Sequence, residues 1–212
     1  MNIYALRRLA GREEIDYPFL LQALSAYQQP RKKIQSLLAS GDLIRIKKGL
    51  YIFGERVRKE PYAKEVLANL IYGPSALSLE YALSYYGLIP ERVETLTSIT
   101  NNRNKHFETP VGSFDYSYLT SKKYALGIAQ IQLTPQTYFL MATKEKALAD
   151  FLMLRSDQFE SESILHEHLV ENLRIEERIL KHFDYQFISR LVLTYKNKNV
   201  TLLKKLIEKH HA

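Results

Sequence analysis

Apolar positions recur at helical spacing over residues 2–39, alternate at 43–53, and return to helical spacing over 62–88. They alternate again from 94 to 142, and from 143 onward the spacing is helical. In the first stretch, NIYALRRLA (2–10) sets Tyr4 or Ala5, Leu6, Leu9 and Ala10 on one side of a short helix that Gly11 closes. Asp16 and Pro18 are residue types favoured at helix starts, and they announce a second helix, FLLQALSAY. Pro30 opens a third, RKKIQSLLAS, with Ile34, Leu37 and Leu38 as its apolar face and Gly41 as its stop signal. Lys32, Gln35 and Ser36 point away from that face, with Arg31 and Lys33 on its flanks.

The next segment, SGDLIRIKKGLYIFG (40–54), reads as a β-hairpin. Ile44 and Ile46 face one way, Arg45 faces the other, and the turn is Lys47-Lys48-Gly49, with Gly49 supplying a positive φ. Three short helices followed by a hairpin is the order of a winged helix-turn-helix. In that arrangement the third helix enters a DNA major groove and the hairpin is the wing. Lys32, Gln35 and Ser36 are then expected at base edges with Lys33 near them, and Arg31, Arg45, Lys47 and Lys48 at phosphates. The plainer alternative is a solvated basic tip on a helical domain that binds protein.

Residues 55–62 (ERVRKEPY) read as a linker, which divides the chain into a DNA-binding domain at 1–58 and a larger domain at 62–212. The larger part opens with a helix, AKEVLANLIY, broken at Gly73-Pro74. Ser75 is then expected to cap a second helix, SALSLEYALSYYGL. Period-two patterning predicts strands at 94–100, 105–110, 112–119, 125–133 and 137–142. Thr143 caps a helix, KEKALADFLML, and further helices are expected at 161–173, 176–183, 184–195 and 199–210. The fold class is α+β: the winged unit, then a larger domain with a mainly antiparallel sheet and a helical C-terminal section.

Charge sharpens this division. Residues 1–60 hold 12 Lys/Arg and 6 Asp/Glu, while 61–212 hold 18 and 17, so nearly all of the net +7 lies in the first part. A basic module on a near-neutral body points to a polyanion as partner. Cysteine is absent, which removes disulfides, thiolate metal sites and cysteine nucleophiles. No apolar run approaches the ~18 residues of a membrane helix, and no signal-peptide pattern opens the chain, so a cytoplasmic protein away from membranes is expected.

Catalytic constellations are sparse. His166 and His168 are two apart and fall on different helix faces, unlike an i, i+4 metal pair, and His210-His211 reads as a solvated end. Glu145 and Asp150 suit helix-start electrostatics and ion pairing. Asp115 with Lys122 and Lys123 is the sole hint of a metal-dependent nuclease. Tyr81, Tyr85 and Tyr86 read as packing residues. No catalytic, cofactor-binding or metal-ligating set is expected.

Three blocks carry a family resemblance. In 75–100, Ser78, Leu79, Glu80, Ala82, Leu83, Gly87, Leu88, Ile89, Pro90 and Glu91 precede a strand ending in threonine. TPVGSFDYSYL carries Gly112, Phe114 and Tyr116, and ATKEKALADFL spans 142–152. Together with GLYIFG at the end of the hairpin, these resemble the AbiEi family of antitoxins from type IV toxin–antitoxin (abortive-infection) systems. The resemblance reaches to about residue 155. It implies an antitoxin that counters a nucleotidyltransferase-like toxin, with or without binding it directly, and that represses its own operon. The winged domain would bind inverted repeats in promoter DNA, as a dimer or in pairs. The alternative is a stand-alone winged-helix regulator or a protein-interaction module with no toxin partner. Within the first block, Glu80 is the side chain that packing leaves unexplained, and a salt bridge is its simplest account.

Overall fold

The computed structural model describes the backbone of residues 2–211 and the side chains through residue 209; the side chains of His210 and His211 lie outside the described residues. The N-terminal unit runs α1 (Ile3–Ala10), β1 (Glu14–Asp16), α2 (Tyr17–Ala23), α3 (Pro30–Ala39), β2 (Leu43–Lys47) and β3 (Leu50–Phe53). Asn2 and Asp16 cap the first two helices, each carboxyl or amide oxygen accepting a backbone N–H at 2.8 Å. The second helix is shorter than FLLQALSAY suggests. It stops at Ala23 and turns through Leu24 to Tyr27, whose N–H donates to the Leu24 carbonyl at 3.0 Å.

Strand β1 was not foreseen; its three residues are too few to show alternation. It pairs antiparallel with β3, which pairs with β2, giving the order β1-β3-β2. The two faces of this small sheet serve different cores. Leu43, Tyr51 and Phe53 join Leu6, Leu20, Ile34 and Leu37 beneath the three helices. Ile46, Leu50 and Ile52, on the opposite face, pack with Leu67, Ala68 and Ile71 of the larger part.

That larger part comprises α4 (Lys64–Ile71), β4 (Ser75–Leu77), α5 (Leu79–Tyr85), β5 (Leu96–Thr100), β6 (Lys105–Thr109), β7 (Gly112–Tyr118) and α6 (Ser121–Ala125). It continues with β8 (Ile128–Thr134), β9 (Thr137–Ala142), α7 (Lys144–Leu154) and α8 (Glu162–Glu167), which runs into a π-helical turn at His168–Asn172. Three helices end the chain: α9 (Glu177–Leu180), α10 (Tyr185–Tyr195) and α11 (Lys198–His211). The strands form one sheet, β6-β7-β5-β4-β9-β8. Its β4–β5, β6–β7 and β8–β9 pairs are antiparallel, and its β5–β7 and β4–β9 pairs are parallel. The chain is therefore α+β, with mainly antiparallel pairing.

The expected helix over 75–88 needs correction. Ser75–Leu77 is a strand at the centre of the sheet, with Leu77 opposite Ser98 on one side and Met141 on the other. Ser78, not Ser75, holds the N-cap position, and the helix covers only Leu79–Tyr85. A short run buried on both faces carries no alternation, so its period cannot separate strand from helix. Strand β8 likewise begins at Ile128 rather than 125, because α6 occupies the approach and Gly127 turns the chain at φ 75°. A Cβ on Gly127 would lie 2.3 Å from Phe187 Cζ of α10, so at this φ a side chain would be strained and the Phe187 ring would have to shift. No described helix is long and apolar enough to cross a membrane.

Candidate nucleic-acid interface

Helix α3 is held down by buried Ile34 and Leu37, which leaves Arg31, Lys32, Gln35 and Ser36 exposed on its outer side. Lys33 is half-buried, with its ammonium 5.7 Å from the centre of the Tyr27 ring. Arg45 lies on the same sheet face as Leu43 and Tyr51, the face that α3 covers, and its side chain is exposed. Lys48 is exposed at the turn, where Gly49 has φ 91° and its carbonyl accepts the Tyr17 N–H at 3.0 Å. Among the described residues, Arg31, Lys32, Arg45 and Lys48 pair with no carboxylate. Arg56, by contrast, is bound to Asp42 at 2.5 Å, and that hydrogen bond holds the Asp42 carboxyl below the usual carboxylate range.

Lys47 stands apart from this set. Its ammonium donates to the Ile71 carbonyl at the end of α4, and burial lowers its pKa from the ordinary lysine value. A free cation at the hairpin tip was expected here. The structure instead turns Lys47 into the seam: a bulge in β2 between Arg45 and Lys47 sets Lys47 opposite Leu50, on the face that packs on the larger part. The linker is also fixed: Glu13 accepts the N–H groups of Lys59 and Glu60 at 3.0 and 3.1 Å, and Glu14 accepts that of Ala63 at 3.1 Å. Glu13 is in turn gripped by Arg7 in a buried ion pair at 2.5 Å. Sequence reasoning missed both glutamates. The available signal was LYIF, a strand with no polar side, which requires cover on both faces.

In the larger part, residues from two of the quoted blocks meet. Asp150 Oδ2 accepts from Ser78 Oγ at 2.7 Å, and Asp150 Oδ1 lies 3.2 Å from Lys146 Nζ and accepts from Tyr195. Lys146 Nζ also donates to the Tyr195 hydroxyl at 2.6 Å and the Lys123 carbonyl at 2.9 Å. All four side chains are buried; burial pushes the Lys146 ammonium down and the Tyr195 phenol up. Next to Ser78, the fully buried Leu79 has φ 58°, left-handed strain that the Ser78–Asp150 bond and the Leu79 packing together hold in place. Glu80 makes the expected salt bridge, its Oε1 3.0 Å from Arg155 Nε.

The nuclease hint is not assembled. Asp115 Oδ1 lies 2.7 Å from His106 Nδ1, while Lys123 turns to Met153 Sδ and the Tyr195 ring. Glu145 accepts the Asp184 N–H at 3.2 Å, and His166 pairs with Glu177 at 2.9 Å. Tyr81 donates to Glu65 and Tyr86 to the Ala142 carbonyl; burial raises the Tyr86 phenol to about 12. Among the described residues no group of three or more His, Cys, Asp or Glu gathers to hold a metal.

The exposed His106 is flanked by Asp115 on one nitrogen and Glu108 on the other, both at 2.7 Å, and these carboxylates raise it above the ordinary 6.5. A raised folded value means the two ion pairs are complete below pH 6.5 and fade as pH climbs through that raised value. Its imidazole NMR shift should therefore titrate above the ordinary midpoint, and Asp115→Asn should bring the midpoint down. An unchanged midpoint in that variant would contradict the pairing. No known protein-family profile matches the chain, and no curated protein matches it either.

Proposed function

We propose that the chain is a cytoplasmic antitoxin of the type IV kind, without enzymatic activity of its own. On this reading it represses its operon by binding inverted repeats in promoter DNA and counters a nucleotidyltransferase-like toxin. The N-terminal unit acts as a winged helix-turn-helix: α3 is the reading helix and the β2–β3 hairpin is the wing. The single observation that carries the DNA half is the set of exposed cations on α3 and the hairpin, Arg31, Lys32, Arg45 and Lys48, which have no carboxylate partner among the described residues and stand with exposed Gln35 and Ser36 of α3. Cations that no internal acid neutralises suit phosphates, and the amide and hydroxyl between them suit base edges. Lys33, half-buried against Tyr27, orients the helix rather than reading bases, and Lys47 sets the wing against the body. The toxin half rests on the three quoted sequence blocks, two of which meet at Ser78, Lys146 and Asp150.

Two experiments test these halves. Gln35→Ala should cost roughly 1–3 kcal/mol at one operator position and leave the others unchanged. A uniform loss across all base substitutions would contradict a base-reading role. For the toxin half, the neighbouring reading frame is expressed alone and then together with this chain. Growth arrest that co-expression relieves supports the reading, and arrest that persists overturns it.

A further inference from the structure

The two edges of the larger sheet differ in a way that the proposed function does not use. Strand β6, at one edge, carries Lys105, His106 and Glu108, charges of the kind that keep an open edge from pairing with another chain. Strand β8, at the other edge, carries none: residues 124–143 hold no Asp, Glu, Lys, Arg or His in a chain of net charge +7. Among the described residues, β9 is the only strand paired with β8, and no other helix or strand packs along it. Gln130 and Gln132 are exposed there, and Ile128, Ala129 and Ile131 are half-buried.

The ladder with β9 shows which backbone groups this edge leaves open. Leu140, opposite Gln130, donates its N–H to Asn69 Oδ1 at 2.6 Å, and its carbonyl accepts from Asn69 Nδ2 at 3.3 Å. The Ala142 carbonyl, opposite Ile128, accepts from the Tyr86 hydroxyl at 2.9 Å. These groups of β9 are turned away from β8. By the alternation of an antiparallel ladder, the N–H and C=O of Ile128, Gln130 and Gln132 are turned away from β9, where no strand meets them. A bulge between Gln132 and Thr134 ends the run. The three open residues are symmetric about Gln130, so an antiparallel copy of the same strand meets all of them at once. Gln130 then faces Gln130, Ile128 faces Gln132, and the half-buried Ala129 lies opposite Ile131 of the second copy. A twofold axis makes such a contact self-complementary, and strands without charge let two cationic chains approach with least repulsion. We propose that β8 pairs with β8 of a second copy, joining the two sheets across a twofold axis. The proposal does not depend on DNA binding by the N-terminal unit.

Sedimentation of the full chain over a concentration series, combined with amide hydrogen exchange, tests it. The mass should rise from the 24.7 kDa of one chain to twice that value. Over the same series the N–H groups of Ile128, Gln130 and Gln132 should gain protection. Gln130→Lys sets two ammonium groups face to face and should weaken the dimer by about tenfold or more. Gln136→Lys, at the β8–β9 turn and outside the paired run, should leave it unchanged. Both glutamines are exposed, and circular dichroism verifies that each variant keeps its fold. A monomer at every concentration up to about 1 mM would overturn the proposal. So would a dimer that survives Gln130→Lys while the three amides exchange freely, which would mark a different interface. Protection that appears only when the product of the neighbouring reading frame is added would overturn it as well, by placing another protein's strand on this edge.

Discussion

Replacing Lys146 with methionine is expected to cost about 3–5 kcal/mol of stability, the usual penalty for leaving one member of a buried ion pair unmatched. Lys146 and Asp150 are both fully buried, and the ammonium serves three acceptors: Asp150 Oδ1, the Tyr195 hydroxyl and the Lys123 carbonyl. Without it, Asp150 keeps only the hydroxyls of Ser78 and Tyr195, too little to hold a carboxylate away from water. At roughly 2–4 °C per kcal/mol for a chain of this size, the melting temperature should fall by about 10 °C. Lys146→Met/Asp150→Leu removes both charges and should recover much of the loss. A single variant that melts with the parent, or a double variant worse than the single, would contradict the coupling.

Cutting the chain after residue 58 should leave the N-terminal unit unable to hold its fold. The cut uncovers Ile46, Leu50 and Ile52, which are 5%, 6% and 0% exposed in the full chain. Losing cover on a large aliphatic forfeits about 1.5–3 kcal/mol, and a unit under about 60 residues has little margin to absorb three such losses. The truncation also removes the Lys59, Glu60 and Ala63 N–H donors from Glu13 and Glu14. The fragment should give a poorly dispersed NMR spectrum and no cooperative melt. Replacing Ile46, Leu50 and Ile52 with polar strand formers should improve its solubility. A well-dispersed, cooperatively melting fragment 1–58 would show that the seam is dispensable.

The same seam separates what the sequence made legible from what it did not. Helix starts were readable because their caps are local chemistry: Asp16 and Thr143 accept the N–H groups of Phe19 and Lys146, three residues on in each case. The hairpin was readable from Ile44, Arg45 and Ile46, whose alternation follows from the strand period. The second burial of that hairpin left only LYIF as its trace: a strand with no polar side says that cover is needed, and not which residues further along the chain supply it. Lys47 shows the consequence: by spacing it matches Lys48, yet it ends on the Ile71 carbonyl while Lys48 stays in solvent. Strand β4 escaped for a related reason: its three residues are all buried between two neighbours, too short a run to show a period. The meeting of Ser78 with Asp150 joins residues 72 apart and depends on α5 and α7 packing side by side.

The central claim is that the outer side of α3 and the exposed part of the hairpin together grip DNA. The most direct test is a titration of the chain's own upstream DNA at two salt concentrations, comparing the parent with Arg45→Ala/Lys48→Ala. Each lost phosphate contact should flatten the log–log salt dependence by roughly 0.9, so the double variant should lose close to two units of slope as well as affinity. Lys47→Ala should leave the slope as it is, because that ammonium is already committed to Ile71. An Arg45/Lys48 variant that binds as tightly as the parent with an unchanged slope would contradict the account.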